Sequence, residues 1–360
     1  MDQIEHALAL CLSTNTPAII WGLPGIGKTA IVEAVGSSLG RPVHTIIGSL
    51  YEAADLVGLP VRDGDRVRTM PRDWVLECVA KPNTILFLDE LTTVDPSVQA
   101  AMLRIVNERV VGDVKLPDTV SIVCAANPPD SAAAGVDLSP PMANRLVHLY
   151  HEASARVFVR GVRSGWAPAA PLAIPDCISR ERAIWAGILA TFIERKPSML
   201  HALPALTTEQ GGPWPSPRSW EMAITVLAAS EAAKASKSTQ FDLVKGAIGE
   251  GAATEFLNFA KHANLIDPEA LLSRPEDFVP AVGGDQLLEV IHSLERCLKE
   301  ELTQQRWDAA WVLVHAFVDA DMEDLAALFG QILLSLGGNK FVPPSSIKVF
   351  ASTFNQLSTE

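Results

Sequence analysis

The sequence lacks the cysteine pattern of disulfide-rich and zinc-binding proteins. No two cysteines form a Cys-x-x-Cys pair, and the five that are present, at positions 11, 78, 124, 177 and 297, are odd in number, widely spaced and set in apolar surroundings. We therefore expect reduced thiols packed in the core of a cytoplasmic protein.

The sequence is also poor in positive charge. Its 29 lysine and arginine residues face 42 aspartate and glutamate residues, which gives a formal net charge of −13. An acidic chain offers no general electrostatic surface for a phosphate backbone, so nucleic acid is not expected to be the main partner.

Long apolar runs are missing as well. No uninterrupted apolar stretch approaches the ~20 residues of a membrane span, and the start Met-Asp-Gln-Ile-Glu-His carries no basic segment of a signal peptide. We expect neither membrane insertion nor export.

What the sequence does contain is a complete G-x-x-x-x-G-K-[ST] pattern at 22–29. The apolar run 18–21 before it is suited to a buried strand, and Ile31, Val32 and Val35 after it follow helical spacing. In this strand-to-helix context the loop predicts a phosphate site, in which backbone N–H groups surround the phosphates, Lys28 reaches the β and γ oxygens and Thr29 ligates Mg²⁺. The predicted nucleotide-binding residues are Gly22, Leu23, Pro24, Gly25, Ile26, Gly27, Lys28, Thr29 and Ala30.

Five short runs of β type alternate with helical patterns, which predicts a parallel sheet with helices on both faces. These runs are 18–21, 43–47, 84–88, 120–125 and 146–150. Two hairpins are predicted between them, at 61–67 and 109–115.

The chain of 360 residues is long enough for two domains. Residues 1–165 are predicted to form an α/β nucleotide-binding domain, the Pro/Ala-rich stretch 166–176 a linker, and 177–360 a helical region. Helical runs are predicted near 178–196, 217–235, 241–263, 284–302, 305–318 and 320–336.

The third apolar run leads into two acids, Asp89 and Glu90, as in a Walker B segment. Asp89 is suited to hold Mg²⁺, and Glu90 can orient and polarise the water that attacks the γ-phosphate. Taken alone, an Asp-Glu pair after a strand is more simply a solvated turn or a helix cap, but the phosphate loop favours the catalytic interpretation.

Asn127 follows the fourth run and is succeeded by two prolines. Its amide could bind the attacking water or the γ-phosphate, or the Asn-Pro sequence could simply start a turn. The residues by themselves leave both possibilities open.

Taken together, Gly22 to Thr29, Leu88-Asp89-Glu90, the tract 99–109, Ala126-Asn127-Pro128 and Ala143 to Leu146 resemble an AAA+ ATPase in order and spacing. The two hairpins resemble those of the MoxR branch, and the resemblance covers roughly residues 1–235. It implies a five-stranded parallel sheet in the order 5-1-4-3-2, followed by an all-α lid and a C-terminal helical region.

The resemblance also implies roles for three polar residues. Asn127 would be sensor 1, Arg145 an arginine finger inserted into the neighbouring subunit's site, and Arg218 a sensor 2 that contacts the γ-phosphate of its own subunit. The alternatives are a surface salt bridge for Arg145 and a pair with a local acid such as Glu221 for Arg218. Ser216 and Pro217 are predicted to start the helix that carries Arg218.

The function implied is that of a cytoplasmic, ATP- and Mg-dependent ATPase that forms a hexameric ring and remodels a partner protein, as a chaperone does. The partner implied is a von Willebrand factor A-type protein. The hairpin at 61–67 lacks an aromatic residue for gripping peptide, so threading is not expected. A nucleic-acid-directed motor or loader and a nucleotide-dependent binding switch are the alternatives.

Overall fold

A computed structural model describes residues 2–128, 137–164, 178–262, 268–280, 284–337 and 340–341. The chain divides into two compact units, one formed by residues 1–178 and 198–255 and the other by 179–197 and 256–360. The predicted linker 166–176 and Cys177 lie outside the described residues, so the predicted domain boundary stays a prediction.

The first unit contains a five-stranded parallel sheet, as predicted. Nine strands are described in chain order: β1 Ala18–Trp21, β2 Val43–Ile47, β3 Leu59–Asp63, β4 Arg66–Met70, β5 Ile85–Asp89, β6 Val110–Val111, β7 Val114–Lys115, β8 Ser121–Ala126 and β9 Val147–Tyr150. The sheet order is β2-β5-β8-β1-β9, with all neighbours parallel. Counting only these five strands gives 5-1-4-3-2 from the β9 edge, and the labels differ from that count because the hairpin strands β3, β4, β6 and β7 intervene along the chain.

Helices follow the strands in the alternation that the sequence predicts. In chain order they are α1 Gln3–Ser13, α2 Lys28–Ser38, α3 Ala53–Val57, α4 Asp73–Ala80, α5 Pro96–Glu108, α6 Pro140–Ala143, α7 Ala155–Ser164, α8 Ile178–Arg195, α9 Pro217–Ala232, α10 Lys237–Ile248, α11 Glu250–His262, α12 Pro268–Ser273, α13 Gly284–Glu300, α14 Gln304–Asp319 and α15 Glu323–Gly337. In the described ranges no helix has both the length and the apolar character that crossing a bilayer requires.

The central strands are buried on both faces, since every residue of β1 and β8 is buried. One face packs Ile19, Leu86 and Ile122 of the sheet against Trp74 of α4 and Met102 of α5. This continuous apolar core fixes the relative heights of the strands, and with them the positions of the polar residues at the strand ends.

Both predicted hairpins are confirmed, as the antiparallel pairs β3–β4 and β6–β7. They contact each other: the Asp113 carboxylate accepts a hydrogen bond of 2.8 Å from the Thr69 backbone N–H. Gly112, at φ +59°, lies so close that a Cβ there would be 3.0 Å from the Thr69 carbonyl oxygen. All five residues of β3 are exposed.

The helices α9 and α10 belong to the same unit as the sheet. Ser216 is the N-cap of α9 and Pro217 its first residue, as predicted. The single helix predicted at 241–263 is wrong, because Gly249, at φ +84°, ends α10 and a new helix starts at Glu250. A left-handed residue cannot continue an α-helix, and glycine adopts that conformation without steric cost.

The second unit is helical and has its own apolar core, centred on α13, α14 and α15. Trp307 and Trp311 are fully buried in it, and Trp185, Trp214 and Trp220 are also buried in their units. The interpretation of these five indoles as core residues is confirmed.

Candidate active site

The phosphate loop connects the end of β1 with the start of α2. Gly25 and Gly27 adopt φ +78° and +94°, conformations in which any side chain would be strained. Gly27 is the N-cap of α2, so the first residues of that helix point backbone N–H groups toward the loop. A helix N-terminus of this kind is suited to bind phosphate.

Lys28 lies folded over the loop that precedes it. Its ammonium donates hydrogen bonds to the carbonyl oxygens of Gly22 at 2.6 Å and Leu23 at 3.1 Å, and to Asn127 Oδ1 at 2.7 Å. Burial lowers the pKa of Lys28, while the negative charges of Asp89 and Glu90 oppose that shift. The ammonium is thus held beside the loop with acids nearby.

Thr29 and Asp89 offer two oxygen atoms suited to Mg²⁺. The Thr29 hydroxyl donates to Asp89 Oδ2 at 3.2 Å, across the sheet edge. Among the described residues no cluster of three or more His, Cys, Asp or Glu side chains could hold a metal. Mg²⁺ commonly needs few protein ligands, because waters and substrate phosphates complete its octahedron, so this pair of oxygens fits the ion.

Glu90 follows Asp89 in a constrained conformation. Its φ is +62°, unusual for a residue with a side chain, and its N–H donates to Asp89 Oδ1 at 2.8 Å. The Glu90 carboxylate accepts a hydrogen bond from the Ser49 hydroxyl. Ser49 lies just beyond β2, on the side of β5 away from β1, so this bond draws the carboxylate away from the phosphate loop.

Ser49 is a site residue that the sequence reasoning missed. It follows the end of β2 by two residues, and Ile47, the last residue of that strand, pairs with Asp89. A polar residue at the carboxyl end of a strand next to the Walker B strand is the signal that could have identified it.

Asn127 lies directly after β8, between the strands that carry the loop and the acids. Its Oδ1 accepts from Lys28, and its backbone carbonyl accepts from the Thr92 hydroxyl at 3.0 Å. The side chain therefore faces the phosphate loop. These hydrogen bonds bring Lys28, Thr29, Asp89 and Asn127 together at one edge of the sheet, as the sequence predicts, with Glu90 adjacent.

The structure places Arg145 on the opposite side of the sheet, at the amino-terminal ends of the strands. It precedes β9, whose residues Val147 and Tyr150 pair with Ala18 and Trp21 of β1, whereas the phosphate loop follows β1. A strand of four residues separates the two edges by about 13 Å. Arg145 donates to Asn107 Oδ1 at 2.6 Å and to the Pro141 carbonyl oxygen.

Arg218 lies close enough to Arg145 for the two positive charges to interact. Burial lowers the pKa of Arg145, and the positive charge of Arg218 lowers it further. Within the described ranges no carboxylate forms an ion pair with either guanidinium, so neither the salt bridge considered for Arg145 nor the Glu221 pair considered for Arg218 is present. Two neighbouring cations without a counter-ion among the described residues, one of them in the first turn of α9, favour binding of an anion.

Comparison with known families supports the identity of the first unit. Residues 17–146 match the family model described as the AAA domain of the dynein-related subfamily. This segment, just over a third of the chain, is an AAA domain, and the five-stranded sheet with its phosphate loop has the AAA+ P-loop fold.

Curated relatives match over less than half of this chain. Midasin of Giardia intestinalis is 28% identical over 153 residues, which cover 40% of this chain and 3% of midasin. Two uncharacterized proteins of Methanocaldococcus jannaschii are each 24% identical over 168 residues, covering 45% of this chain and 41% and 40% of their own lengths. The chain thus spans less than half the length of these relatives.

Two solved structures are similar at a lower level. An ATPase candidate from Cytophaga hutchinsonii has a TM-score of 0.44 and 15% identity, covering 73% of this chain and 89% of its own. A full-length MCM homolog from Methanopyrus kandleri has a TM-score of 0.39 and 14% identity, covering 68% of this chain and 56% of its own. With TM-scores this low, neither similarity carries a functional argument.

Proposed function

We propose that this protein is a MoxR-like AAA+ ATPase of the cytoplasm, which assembles into a hexameric ring and uses ATP hydrolysis to remodel a partner protein. The observation that carries the proposal is the division of the polar residues between two edges of one sheet. The loop and acids lie at one edge and the two arginines at the other. Each copy thus carries the two halves of a hydrolytic site at opposite ends of its strands. A site becomes complete when the arginines of one copy dock on the phosphate loop of the next copy.

At the loop edge each residue has a chemical task. Lys28 and the N–H groups of the loop would bind the β- and γ-phosphates. Thr29 and Asp89 would hold Mg²⁺, which when bound neutralises charge on the phosphate oxygens. Glu90 would orient the attacking water and accept its proton, and Asn127 would donate a hydrogen bond to that water or to the γ-phosphate.

The hydrogen bond from Ser49 implies a resting position of Glu90. Because it holds the carboxylate on the side of β2, Glu90 has to exchange this bond for one to water before hydrolysis. Ser49 is therefore proposed to restrain turnover.

The arginine pair is proposed to act on the neighbouring subunit's ATP. A guanidinium can neutralise charge that develops on the transferred phosphoryl group, and no acid among the described residues forms an ion pair with Arg145. Because Arg218 shares its location, we assign both arginines to the neighbour's site. The resemblance placed Arg218 on the phosphate of its own subunit, and that arrangement is the alternative for it.

A protein partner is favoured by the exposed hairpin β3–β4. Leu59, Val67 and Met70 on it are 56%, 72% and 55% exposed, and such apolar side chains suit a protein surface better than a phosphate backbone. A von Willebrand factor A-type partner rests on the resemblance only.

The test is the mass in solution of Glu90→Gln, which should bind ATP without turning it over. Light scattering with Mg-ATP is expected to show a closed assembly of about six subunits of 38.6 kDa. A chain that binds ATP and stays monomeric would contradict the trans role of the arginines and favour the nucleotide-switch alternative. Stimulation of wild-type turnover by DNA or RNA would instead favour the nucleic-acid motor.

A further inference from the structure

A buried chain of hydrogen bonds connects the two edges of the sheet. The Trp21 indole N–H donates to His148 Nδ1 at 2.9 Å, and His148 Nε2 lies 2.9 Å from the Ala143 carbonyl oxygen. The two rings also stack, with centroids 5.9 Å apart and planes inclined by 23°. Both side chains are buried, His148 to 1% exposure.

The donors and acceptors in this chain are determined by chemistry. An indole nitrogen can only donate, so His148 Nδ1 accepts and the ring proton is on Nε2, which donates to the Ala143 carbonyl. Burial lowers the pKa of His148 to about 4. The ring is therefore neutral near pH 7, and both hydrogen bonds persist.

Neither ring of this hydrogen-bonded series can shift freely. Trp21 is locked in β1, where its carbonyl accepts from the His151 N–H at 2.8 Å. The backbone at His148 is covered by α10, since a Cβ on Gly246 would lie 2.3 Å from the His148 carbonyl oxygen. In so close-packed a place a change at one ring is transmitted to the other.

Both ends adjoin the proposed hydrolytic residues. Trp21 is the residue before the phosphate loop, and Ala143 is two residues before Arg145. Asn144, which lies between Ala143 and Arg145 in the sequence, donates from Nδ2 to the Trp214 carbonyl at 2.9 Å and accepts from the hydroxyl of Ser216, the N-cap of α9. The same turn that carries Arg145 thus holds the helix that carries Arg218.

We infer that His148, together with Trp21 and Asn144, is a positioning residue that sets Arg145 and Arg218 relative to the phosphate loop of the same subunit. The inference rests on the proposed function, because it gives the two arginines a trans role. A subunit's own loop would thereby influence how well its arginines serve the neighbouring site. Stacking and both hydrogen bonds serve stability as well, so the test has to separate positioning from folding.

Hexamers assembled from two kinds of mutant subunit separate a positioning role from a role in folding. Arg145→Ala subunits keep an intact loop and Glu90 but supply no finger, and Glu90→Gln subunits supply the finger but cannot hydrolyse ATP. Mixed one to one, they should recover turnover at about a quarter of the interfaces, where a finger donor meets an intact loop. In the decisive mixture the donor is Glu90→Gln with His148→Phe, which keeps a ring but removes both hydrogen bonds.

We expect this donor to recover about ten- to a hundredfold less turnover than the Glu90→Gln donor, since a misplacement of about 1 Å costs that much. Its own affinity for a fluorescent ATP analogue should stay within about threefold, because the hydrogen bonds that hold Lys28 on the loop, to Gly22, Leu23 and Asn127, do not involve His148. The matched control is Glu90→Gln with Ser230→Ala. Ser230 is a buried polar residue of α9 whose hydroxyl donates to the Leu227 carbonyl of the same helix, and this donor should recover full turnover.

Trp21→Phe, in the same Glu90→Gln background, provides a second variant if His148→Phe does not fold. It removes the indole N–H together with the five-membered ring that carries it, keeps an aromatic ring at this position, and should also weaken the donor role more than the nucleotide affinity. Equal recovery by folded donors with and without these changes would overturn the inference, as would a parallel loss of nucleotide affinity. No recovery with the Glu90→Gln donor itself would refute the trans role, and the inference with it.

Discussion

The bond between Ser49 and Glu90 leads to the sharpest prediction, that removing a hydroxyl accelerates hydrolysis. Ser49 is exposed, and its hydroxyl is the group that holds the Glu90 carboxylate toward β2. In Ser49→Ala the carboxylate loses this partner in the resting state. Nothing is lost in the transition state, in which Glu90 has already turned to the attacking water.

The size of the effect follows from the hydrogen bond. A bond to a buried ionised group contributes about 1.5–3 kcal/mol, but Glu90 is only half-buried and water competes for it, so about 1 kcal/mol is the appropriate estimate. Removing 1 kcal/mol of ground-state stabilisation lowers the barrier by the same amount, which corresponds to about a fivefold rise in kcat.

The assay is phosphate release at saturating Mg-ATP, with the protein above its assembly concentration. Ser49→Thr keeps the hydroxyl and should turn over like the wild type. Thr93→Val is the matched control for loss of a hydroxyl, because Thr93 donates at 3.0 Å to the backbone carbonyl of Glu90 and not to its carboxylate. A kcat for Ser49→Ala that equals or falls below that of the wild type would show that Ser49 holds Glu90 in a productive position, and the reasoning would be wrong.

Two further predictions concern stability. Gly246→Ala should destabilise the first unit by about 1–3 kcal/mol or more, since its Cβ would lie 2.3 Å from the His148 carbonyl oxygen. Gly251→Ala is the control and should cause no loss of stability, because nothing lies within 4 Å of a Cβ at that position. Thermal melts compare the two variants directly, and equal melting temperatures would contradict the prediction. The second prediction concerns pH. The pKa of His148 is about 4 in the folded protein and near 6.5 in the unfolded chain, so between these pH values the unfolded state binds more protons. The free energy of unfolding should therefore decrease as the pH falls from 6.5 to 4, by up to about 3 kcal/mol. Denaturant titrations from pH 7 to 4 should show this loss in the wild type and not in His148→Phe, and identical pH profiles would refute it.

Much of the first unit could be predicted because local patterns and tertiary structure agree there. The run 18–21 coincides with β1, because a continuous apolar run suits a strand buried on both faces. The run 43–47 coincides with β2, an edge strand whose residues are mostly only partly buried. The Asp-Gly sequence at 63–64 located the first hairpin to within one residue, since Asp63 ends β3, Arg66 begins β4 and the two-residue turn is Gly64-Asp65.

Prediction failed where a backbone conformation overrode the apolar pattern. Residues 241–263 follow helical spacing throughout, yet Gly249 at φ +84° divides them into two helices. The spacing of apolar side chains contains no information about the sign of one φ angle, and glycine allows either sign.

The sequence by itself determined the phosphate loop, the pair Asp89–Glu90 and their approach at one sheet edge, because parallel strands bring their carboxyl ends together whatever the rest of the chain does. Only the tertiary structure decided which partners those groups have. The Ser49 hydroxyl donates to Glu90 from a position about 40 residues earlier, and the hydrogen bond between Ser216 and Asn144 brings the start of α9, with Arg218, near Arg145. Such contacts depend on which elements become neighbours when apolar faces are buried, and the order of residues along the chain does not specify these distances in space.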